Sequence, residues 1–253
     1  MYIRMEKGTI LLRASTGIPA IDELLGGSLI RGKVYLLAAD NGTKPTGLIF
    51  PFAKHAIKEG EMIVFACNEY PAEEAMEQLQ EYSIDVDAAI EAKQLVILDL
   101  WTENEKPLDG VIYAGNPGDP HKVMYAYQRA YEEVTKLEKS VPIRVIMDSL
   151  SGAVMNFGFE RAYRLASRAC RLMKLGKAIG MSIVVPKMHE DFVAESFQHL
   201  YDGVICLTLH EEPERIMRYI RITKSPIAKF DSRLVPYEVT SSGFKIAKTS
   251  EKD

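Results

Sequence analysis

Apolar residues fall in short unbroken runs, and amphipathic stretches separate those runs. Val34–Ala39, Met62–Cys67, Leu95–Leu100, Ile143–Asp148 and Met181–Pro186 each have strand length and read as strands buried on both faces. Between them the spacing turns helical. Thr46–Lys58 places Leu48, Ile49, Phe52, Ala53, Ala56 and Ile57 on one face and meets a cap at Gly60. Pro71–Tyr82 reads as a helix with Glu73 and Glu74 placed for its dipole. Asp119-Pro120 suits an N-cap and first turn, for a helix to about Lys139. Phe159–Lys177 reads as a further helix, with Gly180 as its stop, and the Gly- and Pro-bearing stretch Trp101–Gly118 reads as loop. Gly203–His210 and Ile216–Lys224 alternate apolar with polar around Glu211-Glu212-Pro213, as antiparallel strands do. Tyr237–Val239 and Phe244–Ile246 flank Ser241-Ser242-Gly243 as a closing hairpin. The order predicts an α/β fold: a mostly parallel twisted sheet flanked by helices, with antiparallel strands at its C-terminal edge. It is expected as one domain over 1–253, with an N-terminal arm or strand over 1–15 and a flexible tail over 246–253.

Composition narrows this only modestly. With 253 residues and 47% hydrophobic content, the chain can build a large core without metal or disulfide staples. Cys67, Cys170 and Cys206 are widely spaced among apolar residues, as in a reduced cytosolic protein, and a cytoplasmic location is expected. The first nine residues lack the apolar run of a signal peptide, and no run is long enough to cross a membrane. A net charge of -4 argues against broad binding of nucleic acid. His189, His199 and His210 lack the spacing and companion ligands of a metal site.

The first buried strand runs into a turn where a phosphate-binding loop belongs. That loop follows G-x-x-x-x-G-K-[ST]. In register this chain has Ala39-Asp40-Asn41-Gly42-Thr43-Lys44-Pro45-Thr46, so only Thr46 fits. The loop works through backbone N–H groups aimed at phosphate oxygens, a lysine on the outer phosphates and a Ser or Thr on magnesium. Pro45 has no N–H, yet suits a first helical position, so it keeps the strand–turn–helix and removes one donor. Lys44 brings a Cβ where glycine gives freedom, and its ammonium stands one position early for a phosphate.

Five segments then match a family. They are Thr16–Gly27 with Ile30-Arg31-Gly32, Glu69–Glu74 with Ile84-Asp85, Arg144–Leu150, Tyr201–Ile205 and Arg218–Lys224. Over nearly its whole length the chain resembles the KaiC-like branch of the RecA-type P-loop ATPases, related to the RadA recombinases. The first segment is similar to the family's T-G-I-P-G-L-D-x-L-L-G-G-G-I-P-x-G opening. The resemblance makes the fold a RecA-like core and Asp148 the strand-end aspartate that would hold magnesium, with Thr46 as a second ligand. It makes Asn41, Gly42, Thr43, Lys44, Thr46 and Lys224 the inherited nucleotide positions.

The same resemblance exposes departures. The family's catalytic Glu-Glu pair is Glu69-Tyr70 here, leaving Glu69 as the residual general-base position. The polar sensor at the end of the fifth strand is replaced by Val185-Pro186-Lys187. The Lys-x-Arg that reaches a neighbour's nucleotide is Lys224-Ser225-Pro226. The expected function is a catalytically impaired regulatory or scaffold subunit, a pseudo-ATPase with no required cofactor. A slow or atypical ATPase using Lys44, with ATP or ADP and magnesium, is the alternative, and an accessory role in DNA recombination or repair is a third. The implied partners are copies of itself or an active relative. Nucleic acid is disfavoured because Met188–Leu200, where recombinase relatives touch DNA, has three acidic residues and no Lys or Arg. The basic Arg161–Arg168 stretch reads as the solvated face of an amphipathic helix.

Overall fold

In a computed structural model, residues 2–4, 10–103, 108–136, 141–212, 215–240 and 243–246 are described. The elements run β1 (Tyr2–Arg4), β2 (Ile10–Ala14), α1 (Pro19–Leu24), β3 (Leu29–Ile30), β4 (Val34–Ala39), α2 (Thr46–Lys58), β5 (Met62–Cys67), α3 (Ala72–Glu81), α4 (Val86–Glu91), β6 (Leu95–Asp99) and β7 (Val111–Tyr113). Then follow α5 (Pro120–Lys136), β8 (Ile143–Asp148), α6 (Leu150–Phe157), α7 (Phe159–Leu175), β9 (Ile179–Val184), a 3-10 turn (Pro186–Met188), α8 (Asp191–Leu200), β10 (Gly203–Glu212), β11 (Arg215–Lys224), β12 (Val235–Thr240) and β13 (Gly243–Ile246). The tail expected beyond Ile246 lies outside the described residues.

The main sheet has the order β13-β12-β11-β10-β4-β9-β8-β5-β6-β7. The seven strands from β10 to β7 pair in parallel, and β11, β12 and β13 pair antiparallel beyond β10. A small antiparallel sheet, β1-β2-β3, precedes it. The alternation along β4 explains the two cores. Tyr35, Leu37 and Ala39 join one cluster with α2, α3 and α4, while Val34, Leu36 and Ala38 join the other with α5, α6, α7 and α8. All six residues of β4 and of β5 are buried, which is why both read as continuous apolar runs.

The opening signature is a docking clip. The Asp22 carboxylate accepts from Ser15 Oγ at 2.5 Å and from the Thr16 amide at 2.8 Å, fixing the turn before α1. The clip is bolted to the sheet by Arg144, whose side chain is 1% exposed. Its Nε and Nη2 donate to Glu61 at 2.8 and 3.1 Å, its Nη1 donates to the Ser15 carbonyl at 2.8 Å, and the guanidinium lies 4.6 Å above the Phe52 ring. Arg31 adds a bond to Glu61 at 2.5 Å. Burial pushes the Glu61 carboxyl up, but the bonds from Arg144 and Arg31 outweigh it and hold it below the ordinary value.

Two expectations need correction. Gly180 does not stop α7. The helix ends at Leu175 with Gly176 at its cap, and Gly180 lies inside β9, which begins at Ile179. A Cβ on Gly180 would collide with Met173 Sδ and stand 3.0 Å from Val34 Cγ1, so close helix–sheet packing explains the glycine. The stretch read as loop over Trp101–Gly118 contains β7, an edge strand with only its middle residue, Ile112, buried.

Candidate functional site

Parallel strands bring their C-terminal ends to one rim. Across the rim stand the loop after β4, Val185 after β9, Asp148 ending β8, Asn68 to Tyr70 after β5, and Leu100 and Trp101 after β6. Such a rim is where open α/β sheets bind ligands.

The loop 40–45 is a compact turn held from beneath. The Thr43 amide and hydroxyl both donate to the Asp40 carbonyl, at 3.1 and 2.5 Å. Tyr237 Oη donates to the Thr43 carbonyl at 2.6 Å, and Arg218 Nε donates to the Gly42 carbonyl at 2.9 Å. Asp40 forms an ion pair with Lys187 at 2.8 Å. Gly42 has φ +83° and Lys44 φ +57°. Lys44 thus keeps the left-handed backbone that suits glycine, at a cost of about 1–2 kcal/mol. The four hydrogen bonds, each contributing roughly 0.5–1.5 kcal/mol, outweigh that strain. Asn41, Gly42 and Lys44 are exposed, Thr43 is buried and Thr46 is half-buried at the first turn of α2. Pro45 sits before that turn with φ -59°, and its carbonyl accepts from the Leu48 and Ile49 amides. The Gly47 amide is taken by the Lys44 carbonyl at 3.1 Å.

Asp148 and Glu69 come together on the rim, joined by the two residues beside them. Tyr70 Oη donates to Asp148 Oδ2 at 2.5 Å, and the Ser149 hydroxyl donates to Glu69 Oε1. Ser149 also caps α6, accepting from the Gly152 amide at 3.2 Å. Asn68 ties the strand ends together, its amide donating to the Asp148 carbonyl at 2.7 Å and its Nδ2 to the Ser149 carbonyl at 2.9 Å. The Asp148–Ser149 peptide is cis. Burial raises the Asp148 pKa to about 6, the Tyr70 bond pulls it down, and the Glu69 charge pushes it up. The Tyr70 phenol is raised by burial and by the Asp148 charge, so it donates and does not ionise.

Lys224 lies elsewhere. Its Nζ donates to the carbonyls of Gln198, His199 and Tyr201, at 3.1, 3.2 and 2.5 Å, closing the C-terminus of α8. Past β9, the Val185 amide donates to Ser151 Oγ at 2.9 Å, and His189 Nε2 lies 2.9 Å from the same oxygen. Next to β5, the fully buried Asp99 accepts from the amides of Ala72, Trp101 and Thr102 and from the Thr102 hydroxyl, fixing Trp101 on the rim. Among the described residues no cluster of three His, Cys, Asp or Glu forms a metal cage, and no helix is long and apolar enough to cross a membrane.

Sequence reasoning did not find the tethers of the loop. Tyr237 is 194 positions from Thr43, and nothing local in the sequence marks that bond. Ser149 was findable, since a serine before the apolar run of α6 is an N-cap signal.

A ten-stranded, mostly parallel sheet with this strand–loop–helix at its centre is the architecture of the RecA-type P-loop ATPases. A family model described as "ATPase: KaiC" matches residues 14–251, and the chain belongs to that family. It is 25% identical to a UPF0273 protein of Methanopyrus kandleri, over 92% of this chain and 91% of that one. It is 26% identical to a UPF0273 protein of Aeropyrum pernix, over 91% and 92%. Among solved structures, a KaiC-like protein of Pyrococcus horikoshii superposes with a TM-score of 0.73 at 19% identity, covering 94% of this chain and 100% of that one. That likeness supports the fold alone.

Proposed function

We propose that this chain is a pseudo-ATPase of the KaiC family, a regulatory or scaffold subunit that works in an assembly of its own copies or beside an active relative. The observation that carries this reading is the Tyr70–Asp148 hydrogen bond. A magnesium-holding aspartate presents charged oxygens to the ion's water shell. Here one oxygen already accepts from a phenol, and burial favours the protonated acid. The tyrosine sits where the family resemblance puts a second glutamate, so the residue that replaces a catalytic carboxylate also occupies the metal ligand.

Several details support the same reading. The Thr43 amide turns inward to the Asp40 carbonyl, Pro45 has no amide, and the Glu69 carboxylate accepts the Ser149 hydroxyl. Lys224 spends its ammonium on α8. These residues fit a magnesium nucleotide poorly. The alternative, an atypical ATP-binding protein, draws on one observation: Lys44 is exposed on the loop with left-handed backbone. The exposed Asp191 and Glu195 of α8, with Glu190 at its N-cap, weigh against a DNA role at that helix.

Thermal unfolding with millimolar ATP analogue and magnesium separates these readings, because a ligand that binds only the folded chain must raise its melting temperature. No shift and no hydrolysis above buffer are expected. A shift lost in Lys44→Ala would favour the atypical binder, and turnover lost in Asp148→Ala would defeat the pseudo-ATPase reading.

A further inference from the structure

Helix α7 carries Arg161, Arg164, Arg168 and Arg171 in one exposed row. The spacing of three, four and three residues keeps them on one face, over about 15 Å at 1.5 Å per residue. The opposite face of the helix, Ala162, Leu165, Ala166, Ala169 and Met173, is buried against the sheet. Among the described residues none of the four arginines has a carboxylate partner. In a chain of net charge -4 this is a segregated, mainly cationic face, with the exposed Glu160 as the one acidic residue at its N-terminal end.

Its complement stands on the other side of the same molecule. Helix α3 exposes Glu73, Glu77 and Glu81 one turn apart, with Glu74 beside them, and buries Ala72, Ala75 and Leu79 in the opposite core. Both rows step by about one helical turn, near 6 Å. The two helices cover opposite faces of the sheet, so the rows cannot meet within one chain. They can meet between chains.

We propose that the arginine row of α7 docks on the glutamate row of α3 of a second copy of this chain. The contact is heterologous, so it repeats from copy to copy and builds a ring or an open stack. Helix α7 packs on β4 and β9 and α3 on β6, and β9 and β6 are three strand positions apart. Each docking step is therefore displaced sideways by about 14 Å. A nucleic acid fits less well, because the exposed Asp191 and Glu195 of the neighbouring α8, with Glu190 at its N-cap, repel a continuous polyanion but leave room for a discrete acidic row. The contact needs no nucleotide and stands whether or not the strand-end site binds one. A two-helix contact is smaller than a standard stable interface, so it is weak and salt-sensitive.

The test is sedimentation of the full chain without nucleotide. At about 0.01 M ionic strength, where screening extends about 30 Å, the sedimentation coefficient rises with protein concentration; at about 1 M, where it is about 3 Å, the chain disperses. An R164E/R168E variant and an E73K/E77K variant each lose self-association by about tenfold or more. Mixed together they associate again, because the now acidic α7 of one meets the now basic α3 of the other, and an unfolded variant could not do this. A chain that sediments as monomer at low salt, reversals without effect, or a mixture that fails to recover would overturn the proposal. So would a labelled single-stranded oligonucleotide whose binding R164E/R168E abolishes while self-association is unchanged.

Discussion

Burying the Asp148 carboxyl raises its pKa to about 6, and Tyr70 limits that rise by donating to the charged form. The folded state therefore holds a proton that the unfolded chain, titrating near 3.8, has released. The stability this contributes is fully present below about pH 4 and is lost as pH rises through about 6. At roughly 1.4 kcal/mol per pKa unit, the loss is about 3 kcal/mol at most. Asp148→Asn removes it, so denaturant melts should find the variant gaining on the parent between pH 4 and pH 7, and parallel stabilities would mean the carboxyl is unperturbed. Tyr70→Phe deletes the donor and moves the window to higher pH. Lys44 makes a second single-residue case. Replacing it by glycine relieves a left-handed backbone and is expected to add about 1 kcal/mol, seen as a higher urea midpoint at unchanged slope. At this scale the sequence announced position and not partnership. Asp148, Glu69 and Lys44 were legible from the register of their motifs. The bonds from Tyr70 and Ser149 were not, because the strand ends of β5 and β8 meet only after the sheet forms.

Among the elements, those that read clearly were long or buried on every side. The bounds of β4, α2, β5 and β8 coincide with their apolar patterns. The short α1 and α4 have six residues each, too few for a helical period to show. Helix α8 was read only as part of the segment where recombinase relatives touch DNA, too acidic here for that contact, and its capping lysine comes from another element. Lys224 closes three carbonyls at the end of α8. Lys224→Met should cost about 1–3 kcal/mol and speed amide hydrogen exchange within α8 before the rest of the chain. A variant that keeps α8 protected but loses a nucleotide-dependent shift would return Lys224 to a phosphate role.

At the scale of the whole molecule, a buried ion pair ties the N-terminal turn to the sheet between the two cores. Arg144 of β8 and Glu61, the residue before β5, join the sheet to the Ser15 turn and the Phe52 turn of α2. Arg144→Met leaves Glu61 buried with Arg31 alone and is expected to cost about 3–5 kcal/mol in denaturant melts. Adding Glu61→Gln should recover part of it, and strict additivity would mean the two do not interact. Glu61 titrates against Asp148. Its lowered pKa gives stability that is present above the unfolded value and lost as pH falls. Acid therefore weakens the clip while it restores the stability contributed by protonated Asp148 on the rim. The arginine of this clip was legible only as part of a motif; that it is a core residue at 1% exposure follows from packing that no local pattern encodes.

Trp101 is the chain's single tryptophan, half-exposed on the rim and anchored by its amide to Asp99. The native fluorescence of this protein is therefore a local optical reporter of the strand ends, while far-ultraviolet circular dichroism averages over every helix. If the rim loosens before the sheet, the two spectra separate during unfolding; if the chain melts as one body, they superimpose. An unlabelled sample thus carries its own gauge of whether the rim, where the strand ends and the loop after β4 meet, is also the part that comes apart first.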